Sequence, residues 1–221
     1  MTQIRIMLVD DHNIIREGLR SLLEKEPDFI VVGEAGNGRE AIAMAHRCAP
    51  AVVIMDVSMA DLNGMEATRR IRSELPGVKV VALTVHSDKN YLTGMLNAGV
   101  SGYLLKDCAT VELFQALRLV AAGKAYVSPE VAPMILDDYQ RNSTPGIAPE
   151  NPLPFPELKP KEREILQMIA EGLATKEIAF KLHISTKTVD RTRSQNMEKL
   201  RCSTVAELIK YSIRQGLTPL E

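Results

Sequence analysis

Apolar positions fall into two regimes along this chain. Up to residue 121, short apolar runs at 4–9, 30–32, 51–55, 78–83 and 102–105 read as strands. Between them, apolar residues recur at helical spacing, as at 14, 15, 19, 22 and 23. Helices are therefore predicted over 14–23, 39–47, 65–75, 89–98 and 110–121, with Thr110 as a cap and Gly123 near the end of the last. Strand and helix alternate five times, which predicts a parallel sheet with helices on both faces. Beyond this, 128–141 allows one helix, whose start is restricted by Pro129 and Pro133. From Pro145 to Pro160 lie six of the twelve prolines, the composition of a semi-rigid linker.

The remaining stretch, 157–221, reads as wholly helical. Pro160 suits the first position of a helix, and 164–169 supplies its apolar face before Gly172. Thr175 is placed to cap a short helix to 182, and Ser185 a longer one to 200. Thr204-Val205-Ala206-Glu207 fits a capping box for a last helix to 215, ended by Gly216. Two helices joined at His183-Ile184-Ser185, the second carrying basic residues, point to a helix-turn-helix that binds DNA.

Length and composition narrow the picture modestly. A chain of 221 residues, 45% apolar and 25% charged, suits two soluble domains. There is no membrane-length apolar stretch and no signal-peptide order at the start, so a cytoplasmic protein is expected, with no membrane partner. Cys48, Cys108 and Cys202 form neither a disulfide framework nor a zinc pattern. The net charge is −1, yet 157–221 holds 12 Lys+Arg against 9 Asp+Glu, a mild bias toward a polyanion.

Candidate chemistry gathers where the strands end. Val52-Val53-Ile54-Met55 runs straight into Asp56, as expected of a strand covered on both faces. Asp10-Asp11, Thr84 and Lys106 close three other strands, so a parallel sheet puts them all along one edge, where such sheets bind ligands. Two carboxylates 4 Å apart repel by about 4 kcal/mol at an effective dielectric of 20. Lys106 answers one charge, and a hard divalent cation, Mg²⁺, suits the rest. A phosphoryl group on Asp56 would meet Mg²⁺, the Lys106 ammonium and the Thr84 hydroxyl, a phosphoryl-transfer site with Asp56 as nucleophile. Singly, each residue has a plainer role: helix caps for Asp10 and Asp11, a solvated loop pair for Lys106-Asp107, a strand-end hydroxyl for Thr84.

These residues carry a family resemblance. With Asp10-Asp11, Asp56, Thr84-Val85-His86 and Gly102-Tyr103-Leu104-Leu105-Lys106, the first domain resembles the receiver of two-component response regulators. With Lys161-Glu162-Arg163-Glu164, Glu177-Ile178-Ala179, Ile184-Ser185-Thr186-Lys187-Thr188-Val189 and Met197-Glu198-Lys199-Leu200, the last resembles the LuxR-type helix-turn-helix of the NarL/FixJ subfamily. The resemblance implies a five-stranded, doubly wound, flavodoxin-like receiver at 1–122, a linker with a possible helix at 123–156, and a small all-α DNA-binding domain at 157–221. It implies that Asp56 accepts a phosphoryl group from a sensor histidine kinase. Mg²⁺ would be held by Asp10, Asp11, Asp56 and the Ser58 backbone carbonyl, with Asp11 the more direct ligand and Asp10 acting partly through water. Thr84 and Tyr103 would be the switch pair, the hydroxyl moving toward phosphate and the ring turning inward, while Lys106 contacts the phosphate. Ser58 and His86 stand where the family tunes dephosphorylation.

For double-stranded DNA, the resemblance puts the helix 186–200 in the major groove. Its contact candidates are Lys187, Thr188, Asp190, Arg191, Arg193, Ser194, Gln195 and Lys199. Arg191 suits guanine, Gln195 adenine, and Lys187 and Thr188 phosphate, while Asp190 either orients Arg191 or accepts from cytosine. Most of Val205, Leu208, Ile209 and Ile213 are expected in the core, yet the resemblance makes this helix a homodimer face in the active form, with Val205, Leu208 and Ile209 its candidates. Before phosphorylation the receiver would mask the recognition helix or that face. No conventional turnover enzyme is implied, only phosphoryl transfer with autodephosphorylation. Two other readings are a Mg²⁺-dependent phosphatase tethered to DNA, disfavoured by Ser58 in place of its usual second Asp, and a phosphate-independent DNA binder, disfavoured because no acid, Thr or Lys is missing. The chain departs from the family's pattern at Ala60, where proline is usual, at Lys159, where a Thr cap is usual, and at Thr192 and Asn196, where His and an apolar residue are usual. Asn196, on the inward stripe, is expected to weaken the seat of its helix or to find a specific partner.

Overall fold

The computed structural model describes residues 3–85, 87, 89–142 and 158–218, with only the backbone of 138–142. In chain order the first elements are β1 (Ile4–Val9), α1 (Asn13–Leu23), β2 (Phe29–Ala35), α2 (Gly38–Cys48), β3 (Val52–Met55) and α3 (Gly64–Glu74). They are followed by β4 (Lys79–Thr84), α4 (Lys89–Ala98), β5 (Gly102–Leu105) and α5 (Thr110–Ala121). With a last short strand, β6 (Tyr126–Val127), the strands pair in parallel in the order β2-β1-β3-β4-β5-β6, so the winding reverses between β1 and β3. The ends of those two strands flank the crevice where doubly wound sheets place their chemistry.

Both faces of the sheet are apolar, which explains the unbroken runs in the sequence. Met7, Val9, Val53, Met55, Val80 and Ala82 face one way, under α2, α3 and α4. Ile6, Leu8, Val52, Ile54, Val81 and Leu83 alternate with them and face the other way, under α1 and α5. Strand alternation thus serves two cores.

The structure differs from three expectations: the number of strands, the extent of the linker and two helix caps. The sheet has six strands: β6 (Tyr126–Val127) pairs with β5 beyond the expected boundary at 122. It is followed by α6 (Ala132–Asn142), and Val131, Met134 and Ile135 pack on the core beneath α4. Part of the expected linker is therefore receiver structure. The proline-rich stretch 145–157 lies outside the described residues, as does His86. Thr110 and Thr175 are also not the caps, because Ala109 and Ala174 hold those positions.

The second domain contains α7 (Pro160–Ala170), α8 (Thr175–Lys181), α9 (Thr186–Lys199) and α10 (Val205–Arg214). Ile165, Met168 and Ile169 meet Ile178, Ala179 and Val189 on one side of α7, and Leu158, Leu166, Leu208 and Leu217 pack together on the other. Ser185 caps α9 by accepting from the Thr188 N–H at 3.1 Å, and Thr204 caps α10 at 3.2 Å. At Lys159 no hydroxyl is present, but the Glu162 carboxylate still accepts from the Lys159 N–H at 2.7 Å. Half of that cap therefore survives the departure from threonine.

The two domains dock through α7. Glu66 at the start of α3 and Glu164 on α7 are both buried. Arg163 reaches across to Glu66 at 2.8 Å, Arg70 to Glu164 at 3.3 Å, and Arg39 pairs with Glu164 as well.

Candidate functional site

Asp10 follows β1 directly, and its backbone N–H donates to the Ala35 carbonyl of β2. Asp56 follows β3 directly, and its N–H donates to the Val9 carbonyl. The parallel ladder thus sets the two acids side by side. Lys106 follows β5, and its backbone N–H donates to the Thr84 carbonyl, which ties it to the end of β4. Its ammonium lies 2.7 Å from Asp10 Oδ2 and 2.9 Å from Asp56 Oδ2. All four expected strand-end groups therefore meet at one edge, with Asp10, Asp56 and Thr84 buried.

The electrostatics follow from burial. Loss of water pushes the Asp56 carboxyl up to about 6; Lys106 and the Ser58 N–H oppose that rise, and Asp10 adds to it. Burial works against the Lys106 charge, yet its bonds to Asp10 and Asp56 hold it above the ordinary lysine value. One ligand atom from each of Asp10, Asp11, His12 and Asp56 lies within 4.8 Å of the others, an acidic cluster able to hold a metal ion. Of the acid pair, Asp10 is buried and bonded to Lys106, and Asp11 is the more open.

Sequence reasoning passed over His12. Its Nδ1 sits 2.8 Å from Asp11 Oδ1 and 3.2 Å from Asp10 Oδ1, and its N–H donates to Asp10 at 2.9 Å. The available signal was its place directly after the acid pair. Arg16 was also missed; its guanidinium donates to the Asp10 carbonyl at 2.5 Å.

A loop leads from Asp56 to Asn63, the cap of α3, whose Oδ1 accepts from the Glu66 N–H at 2.9 Å. Asp61 adopts a left-handed φ of 73°, which Asp tolerates better than most residues. Gly64 is required by close approach: a Cβ there would stand 1.8 Å from the Asp56 carbonyl. Ala60, in place of the family's proline, is exposed. Tyr103 has no solvent-exposed surface, so its ring lies inside the fold.

On α9, Lys187, Thr188, Asp190, Arg191 and Ser194 are exposed, and Gln195 is half-buried. The receiver does not cover this face, so of the two masking alternatives the recognition helix is left open; the receiver docks on α7, on Lys181 of α8 and on the chain after α10. Asp190 pairs with Arg193 at 3.1 Å, three residues on, rather than with Arg191. Lys199 folds back onto Glu162 at 2.8 Å, so its charge is spent inside the domain rather than on the outward face. Glu162, buried against its own charge but held by Lys199, titrates below the usual glutamate range. The buried Asn196 donates to the Glu162 carbonyl at 2.9 Å, while its Oδ1 has no partner among the described residues.

The dimer candidates divide similarly. Val205 is exposed. Leu208 lies in the domain's own core with Leu158, Leu166 and Leu217, and Ile209 packs on the other cluster. Leu208 is therefore corrected from an interface residue to a core residue, because it falls on the inward stripe of α10.

Known proteins place these features in context. Residues 6–118 match the family model described as the response regulator receiver domain, and 156–212 match that of bacterial regulatory proteins of the luxR family. The response regulator GacA of Pseudomonas protegens is 37% identical, with 97% of each chain covered. The response regulator UvrY of Escherichia coli is 36% identical over 99% of this chain and 97% of its own. RcsB of Salmonella enterica serovar Typhimurium, solved bound to promoter rprA with the phosphomimetic BeF3−, is 27% identical, with a TM-score of 0.57 over 98% of this chain and 100% of its own. With a receiver in which Asp10, Asp56 and Lys106 converge, followed by a LuxR-type helix-turn-helix, the chain belongs to the NarL/FixJ response regulators.

Proposed function

We propose that the chain is a phosphorylation-controlled transcription regulator in which Asp56 accepts a phosphoryl group from a sensor histidine kinase. The observation that supports this most is the Lys106 ammonium bridging Asp10 and Asp56 at 2.7 and 2.9 Å in a buried crevice. An Asp56 oxygen attacks the phosphorus of the phosphohistidine, the P–N bond breaks, and the imidazole leaves with its electron pair. Lys106 then binds a phosphoryl oxygen, and the Thr84 hydroxyl is placed at the same strand-end edge. Asp10, Asp11 and Asp56 would hold Mg²⁺; these hard carboxylate oxygens, with more negative charge than Lys106 alone offsets, fit that ion. When bound, the ion neutralises charge on the incoming phosphoryl oxygens.

The DNA partner is read by the open face of α9. Arg191 has the clearest claim on a guanine edge, because Arg193 is paired with Asp190 and Lys199 with Glu162. A homodimer on a two-fold site is proposed for the active form, as is a role in regulation rather than turnover. The test is incubation with acetyl phosphate and Mg²⁺, followed by intact mass, gel filtration and DNA binding. The wild-type chain gains one phosphoryl group and Asp56→Asn gains none. Equal DNA binding and association by the phosphorylated chain and Asp56→Asn would refute phosphorylation as the switch.

A further inference from the structure

The loop that carries Asp56 toward α3 is gripped from the other domain. Gln167 of α7 is almost fully buried at 1% exposure, and its side-chain amide spans the loop. Gln167 Nε2 donates to the Met59 carbonyl at 3.2 Å, and Gln167 Oε1 accepts from the Asn63 N–H at 3.1 Å. One turn along α7, Glu171 accepts from the same Gln167 Nε2 at 2.6 Å, and the Asp61 backbone N–H acts on its carboxylate as a further donor. Gln167 and Glu171 therefore meet the backbone of residues 59, 61 and 63, alternate positions of one short segment. A second hold lies beside the first: Asn63 Nδ2 donates to the Leu217 carbonyl at 3.2 Å, just past α10.

This pattern differs from a generic docking contact. Its targets are main-chain groups, so what it recognises is the shape of the loop rather than its side chains. The loop is short and tightly jointed to the acceptor. The Ser58 N–H reaches Asp56 Oδ1 at 3.4 Å, and the Gly64 N–H donates to the Val57 carbonyl at 3.0 Å. A bulkier group on Asp56 must be accommodated by this same segment. Because Gln167 is buried, a loop shift that breaks its bonds leaves a buried amide unsatisfied until the domains part.

We propose that Gln167 and Glu171 form a clamp by which the DNA-binding domain restrains the phosphoacceptor loop and slows phosphoryl acceptance at Asp56. The inference rests on the reading of Asp56 as phosphoacceptor, and it assigns control in the reverse direction, from effector to receiver. Coupling free energy is reciprocal, so a clamp that resists the phosphorylated loop is also one that phosphorylation opens. Gln167 and Glu171 are positioning residues, since neither touches the reacting atoms.

The test uses the full chain with acetyl phosphate and Mg²⁺, the rate being followed by intact mass, alongside amide exchange of residues 59–64. Gln167→Ala is expected to accept the phosphoryl group about fivefold faster, the scale of one or two net hydrogen bonds. Faster exchange at Asp61 and Asn63 should accompany it. Gln167→Met keeps the bulk but loses both bonds to the loop, so it should match the alanine variant. Glu171→Ala is a second, less buried variant, with an expected gain of about twofold. Equal or slower rates in both alanine variants, with the wild-type chain labelled at Asp56, overturn the clamp and leave the phosphoacceptor reading intact. If the wild-type chain takes no more label than Asp56→Asn, both readings fall, and unchanged exchange at 61 and 63 refutes the loop contact itself.

Discussion

Asp56→Asn should stabilise the unphosphorylated chain, by an amount that depends on pH. The Asp56 carboxyl rises from 3.8 to about 6, chiefly because it is buried. A folded value above the unfolded one means that the stability linked to its proton is fully present below pH 4. That stability is lost as pH rises through 6. A rise of about two units is worth about 3 kcal/mol, the cost of keeping this carboxylate charged in the folded state at neutral pH. Asparagine keeps the shape and an oxygen for Lys106 but removes the charge, and Lys106 keeps Asp10 at 2.7 Å. Thermal unfolding in chelator should therefore give a gain of about 2 kcal/mol at pH 7.5, or about 6 °C. At pH 4 the gain should disappear. Added Mg²⁺ should stabilise the wild-type chain more than the variant, narrowing the difference. Equal stability at pH 7.5, or a gain of the same size at pH 4, would refute the reasoning.

Gly64→Ala forces a methyl group against the Asp56 carbonyl, so it should cost about 3 kcal/mol in urea unfolding and sharply reduce labelling by acetyl phosphate. Arg191→Ala should weaken specific DNA binding by about 1–3 kcal/mol and relax the preference at one base pair; a uniform loss over all sequences would make it a phosphate contact. Asn196→Leu removes an amide whose Oδ1 has no partner among the described residues, and it gives up one bond to the Glu162 carbonyl. A net gain of about 1 kcal/mol is expected on melting, and no gain would show that this oxygen is not strained.

The parts of this molecule that were legible in the sequence are those governed by local pattern. Ile6 and Leu8 face one core and Met7 and Val9 the other, so an unbroken apolar run was the correct sign of a central strand. The strand-end acids were legible for the same reason, since a parallel sheet dictates which ends lie together. β6 was missed because two residues at a sheet edge, Tyr126 and Val127, make no periodic signal. The pairing of Lys199 was not legible because its partner Glu162 sits on α7, 37 residues away, and nothing on α9 marks that lysine as already paired. The grip of Gln167 on Asn63 spans 104 residues and uses a backbone group, which no side-chain pattern encodes.

The docking of the domains through Glu66 and Glu164 has a mechanical consequence. Both carboxylates are buried, and each is matched by an arginine from the opposite domain. A small separation that lengthened these pairs without admitting water would leave Glu164 as bare charge in a dry gap, at a cost of several kcal/mol, although Glu66 keeps Arg69 and Arg70 of its own helix. Full separation hydrates every partner and removes that penalty. The seam is therefore expected to favour the closed and the fully parted arrangements over any between, as a snap fastener does rather than a sliding hinge.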